Sequence, residues 1–189
     1  MKKIILFICL FTAAGLMIPS FAHAQKHSKK NKQETKVVAE PDYDDSTAEE
    51  LPVPDPTGLV SDYGHVFTKA QNDTLSAIIK TFKDSTQDEI AIVAWDTIHL
   101  APGEMTAYIK KLAEAWEIGD KGKGNGVIIA IALNLKEIKI INSTGGLTDE
   151  DAYKIVHKTM LPYFIVKNNF GGTLMGLKAV INRLQATVE

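Results

Sequence analysis

Oxygen ligands interleaved with glycines are the residues in this sequence whose types and spacing best suit chemistry. Residues 119–126 read GDKGKGNG, with Gly119, Gly122, Gly124 and Gly126 set among Asp120, Asn125 and two lysines. Each glycine loses more backbone freedom on folding than other residues do. Such a loop is therefore either a plain surface connection or one whose backbone approaches something closely. Hard cations such as calcium take carboxylate, amide and backbone carbonyl oxygens, and flexible glycine loops can turn carbonyls inward. Asp62, Asp96 and Asp149 are further carboxylates near the ends of elements, although Asp149 reads equally well as a first-turn helix acid.

Other chemistries fit less well. The run GDKGKGN has glycines at the separation of a phosphate loop, but Asn125 stands where the lysine should be. Phosphate loops also lead from a strand into a helix, so that helix amides face the anion. Here the order is reversed, from a helix ending at Trp116 to an apolar strand opening at Val127. No dinucleotide fingerprint is present, and no nucleotide cofactor is expected. The sole cysteine, Cys9, lies in the N-terminal apolar run, and no nucleophile-elbow or two-histidine metal motif occurs. His27, His65, His99 and His157 are scattered singly. Trp95 and Trp116 fall at element ends on apolar faces and read as core.

The elements that position these residues follow from periodicity. Thr68 with Gln71 makes a capping box, and Leu75, Ile78, Ile79 and Phe82 then recur at helical spacing over about 69–84. Ile90 to Trp95 is a short apolar run expected to be a buried strand. After Pro102-Gly103, a helix is predicted over about 104–116, with Tyr108, Leu112 and Trp116 on one face. Val127 to Leu133 and Ile138 to Ile141 read as a strand and its hairpin partner. A helix opens at Thr148 and is expected to stop near Leu161, because Pro162 disfavours helical geometry before it. Leu174, Leu177, Val180, Ile181 and Leu184 mark a terminal helix. This order predicts an α/β fold, a three-layer α/β/α sandwich with a small mixed sheet and helices on both faces. Its strand–helix–strand unit is expected to be parallel and right-handed. Asp120, Asn125 and Asp149 then share one end of the sheet and Asp96 the other, while Asp62 can reach either.

Composition bounds the rest. Net charge is −2 and the isoelectric point is near 6.2, so no bulk positive field points to nucleic acid, and none is expected as a partner. Residues 1–24 read as an export signal, with Lys2 and Lys3, the apolar run Ile4 to Ile18, and Ala22-His23-Ala24 at the cleavage position. Residues 25–57 alternate basic and acidic blocks and carry four prolines, Pro41, Pro52, Pro54 and Pro56, which predicts a disordered linker. The folded domain is expected over 58–189, with no membrane span in the mature chain and a periplasmic or secreted location.

Four pieces of sequence then resemble the TPM domain, a family that includes thylakoid-lumen phosphatase-like proteins, photosystem II repair proteins and exported bacterial proteins. They are VSDYGHVFT at 60–68, AWEIGDKGKGNGVIIAIA at 115–132, GGLTDEDAYKI at 145–155 and LPYF at 161–164. The resemblance spans about residues 58–187 and implies the same α/β/α sandwich. It also implies a divalent-cation site, with calcium as the ion and Asp62, Asn125 and Asp149 as the metal positions carried over by motif. By resemblance the protein is an interaction or assembly factor acting on envelope or membrane-associated proteins, or else a metal-dependent acid phosphatase. Two departures bear on the site. Gly124 replaces the usual acidic or amide residue before the Asn-Gly pair, and the turn at 142–146 lacks the glutamate that relatives carry.

Overall fold

The computed structural model describes residues 51–86, 88–119, 126–142 and 146–186. All belong to one compact unit, Ala48–Glu189; the other unit, Met1–Thr47, lies outside the described residues. The centre is a pair of parallel strands, β2 (Glu89–Trp95) and β3 (Gly126–Ala132), each apolar on both faces and almost wholly buried. Such strands must be covered by helices on both sides. A short strand β1 (Val60–Asp62) adds in parallel to β2, and β4 (Glu137–Asn142) adds antiparallel to β3. The sheet order is therefore β1-β2-β3-β4.

Alternation along the strands divides the core. Val60, Ile90, Ile92, Ala94, Val127, Ile129 and Ile131 face α1 (Lys69–Thr86) and the C-terminal helices. Ala91, Val93, Trp95, Ile128, Ala130 and Ala132 face α2 (Met105–Ala115). Both parallel connections step the same way across the sheet, yet α1 and α2 cover opposite faces. The two crossovers therefore have opposite hands, and one of them departs from the usual right-handed rule.

Three expectations are corrected. Residues 60–62 form a fourth strand rather than a lead-in to a helix. The helix after Thr148 does not stop at Pro162: α3 (Asp149–Lys154) runs through a π-helical stretch, Ile155–Met160, into α4 (Leu161–Ile165). Proline lacks an N–H and clashes with the carbonyl four residues back, and the wider π turn removes that geometry while Pro162 sits in the first turn of α4. Met160 is then fully buried in the core cluster that includes Leu177 and Val180 of α5 (Asn169–Gln185).

The predicted linker over 25–57 also ends earlier. Leu51 and Val53 pack on the α2-side core. Tyr108 Oη donates to the Pro52 carbonyl at 3.1 Å, Trp116 Nε1 to Pro54 at 2.8 Å, and Tyr63 Oη to Asp55. Burial raises both tyrosines above the usual phenol pKa, with the nearby Asp55 charge adding to Tyr63. The folded state thus favours the neutral phenol and holds its protons more tightly than the unfolded chain. Stability from these groups is complete below about pH 10 and is lost as pH rises through the folded values. Urea unfolding from pH 8 upward is expected to show this alkaline decline, and Tyr63→Phe with Tyr108→Phe to flatten it. A decline of equal size in the double variant would contradict the assignment.

Candidate functional site

The sheet has two edges, and the sequence candidates divide between them. At the edge where β3 begins, Glu89 lies beside Gly126 in register. One Glu89 oxygen meets Lys83 Nζ at 2.5 Å, and the other accepts from the Gly119 N–H at 3.1 Å. Glu89 therefore pins the entrance of the glycine loop, a role that spacing did not reveal. Asn142, opposite Val127, donates through Nδ2 to the Leu147 carbonyl at 2.6 Å and closes the facing turn. Thr148 then caps α3 by accepting from the Asp151 N–H, and Asp149 follows as an exposed first-turn residue. Asn125 and Asp120 lie outside the described residues.

Asp62 belongs to the other edge. It is the last residue of β1 and pairs with Ala94, which pairs with Ile131. From that row to Val127, beside Asn142, is four residues of β3, about 13 Å at a strand rise of about 3.3 Å per residue. Ligand oxygens of one calcium ion stand about 2.3–2.6 Å from it, so Asp62 and Asn142 do not meet at one ion. The three positions implied by resemblance are not seen together, since Asn125 lies outside the described residues. Both Asp62 oxygens are also engaged, accepting from the Val66 and Phe67 N–H groups at 2.8 Å each. Among the described residues, no group of three or more His, Cys, Asp or Glu side chains is placed to hold a metal ion.

In doubly wound sheets, ligands enter where connections leave adjacent strands toward opposite faces. Here that point lies between the carboxyl ends of β1 and β2, and main chain fills it. A Cβ on Gly64 would stand 1.9 Å from the Asp96 nitrogen and 2.7 Å from the Trp95 carbonyl carbon. The open space at this edge lies instead between the β3–β4 hairpin and α4. It is a cleft of about 680 Å³ with Leu133, Ile138, Leu161 and Phe164 in its walls and Asp96, Lys136, Glu137 and Lys167 among its polar lining. Ile165 on its lining and the adjacent Val166 are 74% and 72% exposed. Glu137 is paired with Lys139 at 3.2 Å. Lys136 and Lys167 both hold positive φ, 55° and 59°, where glycine is less strained. Lys167 follows α4, and its N–H and that of Asn168 bond to the carbonyls of Phe164 and Tyr163. Glycine usually takes that helix-ending position.

An open, four-stranded mixed sheet with α1 and α3–α5 on one face and α2 on the other defines an α/β/α domain, as the sequence implies. The family model for the TPM domain matches residues 60–183, and the chain belongs to that family. The chain is similar to the N-terminal domain of a protein from P. gingivalis, with 25% identity and a TM-score of 0.60, covering 69% of this chain and 84% of that one. It shares its fold with the N-terminal domain of a Corynebacterium glutamicum protein, at 18% identity and a TM-score of 0.52 over 72% of this chain and 84% of the other. A protein from the psychrophilic bacterium Bizionia argentinensis also shares the fold, at 16% identity and a TM-score of 0.54 over 75% and 86%. Comparison with curated protein sequences finds no match.

Proposed function

We propose that this TPM-domain protein is an exported interaction factor that holds envelope or membrane-associated proteins at the cleft between the β3–β4 hairpin and α4. The observation that carries the reading is the pair of lysines kept at positive φ on the lining of a cleft whose lip exposes Ile165 and Val166. The strain of a left-handed non-glycine residue costs about 1 kcal/mol or more, so a lysine there favours a role for its charge. The fitting client is an extended segment with an apolar side chain beside acidic residues. In this reading a divalent cation, calcium, is bound as well, with Asp149 among its ligands.

The test is a photo-crosslinking side chain at position 165, exposed to envelope extract. Discrete protein adducts are expected, and Lys136→Gly with Lys167→Gly is expected to lose them while melting a few degrees higher, by about 1 kcal/mol per site. Loss of adducts without that stabilisation would leave the charge argument unsupported. No adducts, together with phosphate-ester turnover abolished by chelation and by Asp62→Asn, would replace this reading with a phosphatase. Millimolar calcium is expected to raise Tm in the wild type but not in Asp149→Asn, and an unchanged wild-type curve removes calcium from the reading.

A further inference from the structure

The α2 face carries a second site, independent of the cleft. Tyr63, Trp95 and Tyr108 form a row, with ring centroids 6.0 Å apart at each step, and Trp116 packs against the same cluster. Residues 51–56, LPVPDP, lie along this row without helix or strand. Prolines fix φ near −65° at 52, 54 and 56, and each pushes the residue before it to extended backbone. The sequence thus pre-orders an extended, polyproline-like strap. Every polar contact named above between the row and the strap runs one way: Tyr108, Trp116 and Tyr63 donate to the carbonyls of Pro52, Pro54 and Asp55. Aromatic rows that donate to main-chain carbonyls of a proline-rich segment are a general mode of peptide recognition. The contacts read spacing and backbone, so another proline-rich segment presents the same acceptors.

The strap is also set apart from the fold it covers. The family match begins at residue 60, after it. Between the strap and β1 stands Gly58, at φ 154° with nothing within 4 Å of a notional Cβ, where Ser61 Oγ accepts from the Thr57 N–H and donates to the Gly58 carbonyl at 2.9 and 3.4 Å. We propose that the Tyr63–Trp95–Tyr108 row, with Trp116 beside it, is a binding site for proline-rich segments, filled in cis by residues 51–56 and open to exchange with such a segment from a different protein. A strap joined by so few residues has an effective concentration of millimolar order, which masks the site in the resting chain.

The experiment uses the full chain and the capped peptide LPVPDP as probe, read by the two tryptophan indole N–H signals in NMR. Pro52→Gly, Pro54→Gly and Pro56→Gly together loosen the strap. This variant is expected to shift the Trp116 indole signal and to bind the peptide at least about tenfold more tightly than wild type, restoring the signal. A folded variant that binds no peptide at several millimolar overturns the proposal, and so does wild type that binds equally well. Concentration-dependent dimers that restore the Trp116 signal without peptide overturn it too, in favour of strap exchange between copies. If the variant fails to fold, hydrogen exchange of wild type decides. The Trp116 indole and the Thr57 amide, which donates to Ser61 Oγ at 2.9 Å, are expected to exchange at least about a hundredfold faster than Ile129 of β3. Exchange only at the rate of β3 would make the strap an inseparable part of the core.

Discussion

Gly64→Ala is expected to destabilise the protein by about 3 kcal/mol, the upper end of the range for overpacking, and to lower Tm by about 10 °C. The new methyl would meet the backbone of Trp95 and Asp96, at 1.9 Å from the nearest atom, and not the movable end of a side chain. Relief requires β1 to separate from β2 or the Trp95–Asp96 turn to shift. β2 is fixed along its whole length by β3 and is buried on both faces, so the strain falls on the short strand β1. Gly103→Ala is the control. Gly103 has φ 90° and open space around it, so alanine there meets backbone strain alone, about 1–2 kcal/mol. Urea denaturation of both variants checks the ordering, and equal losses would mean that the Gly64 contact relaxes freely. The effect matters for function because Gly64 closes the crevice where this topology would otherwise admit a ligand. A variant that stays folded with β1 displaced would reopen it.

Much of the scaffold is written in local periodicity. Leu75, Ile79 and Phe82 announce α1, and the unbroken apolar runs of β2 and β3 announce a covered sheet centre. The features that escape are those whose cause lies far along the chain. Three residues are too few to show the period of a strand, and Val60–Asp62 is a strand only because β2 offers it an edge. The strap reads as a linker by composition, yet its acceptors are met by Tyr108 and Trp116, 56 and 62 residues away. Pro162 reads as a helix stop, and a π-helical stretch, which no apolar period marks, carries the helix past it. The cleft gathers side chains from Asp96, the β3–β4 hairpin and residues 161–169, so no single window of sequence contains it. Asp149 opens α3 as its acidic first-turn position implies, whereas the place of Asp62 depends on β1, which no period marks.

Asp62→Ala is expected to lose about 3 kcal/mol whether or not calcium is present, and Asp62→Asn roughly half of that. The carboxylate accepts two backbone N–H bonds, from Val66 and Phe67, and hydrogen bonds to a charged group contribute about 1.5–3 kcal/mol. Alanine removes both acceptors, and the buried Phe67 leaves its amide little access to water as a substitute. Asparagine keeps one oxygen acceptor, but its amide NH2 cannot accept from the second N–H. The segment so held, 63–67, contains Gly64 and leads directly into the capping box of α1, where the Thr68 N–H donates to Gln71 Oε1 at 2.9 Å. Its loosening therefore frees both the β1–β2 contact and the start of a helix that supplies Leu75, Ile79 and Phe82 to the core. Urea denaturation in chelator and again in millimolar calcium separates this structural role from metal ligation. A ligand for calcium would make Asp62→Ala as stable as wild type in chelator and weaker only when the ion is added. Equal losses under both conditions identify Asp62 as the clasp of the β1–α1 connection, and direct the search for a cation to Asp149.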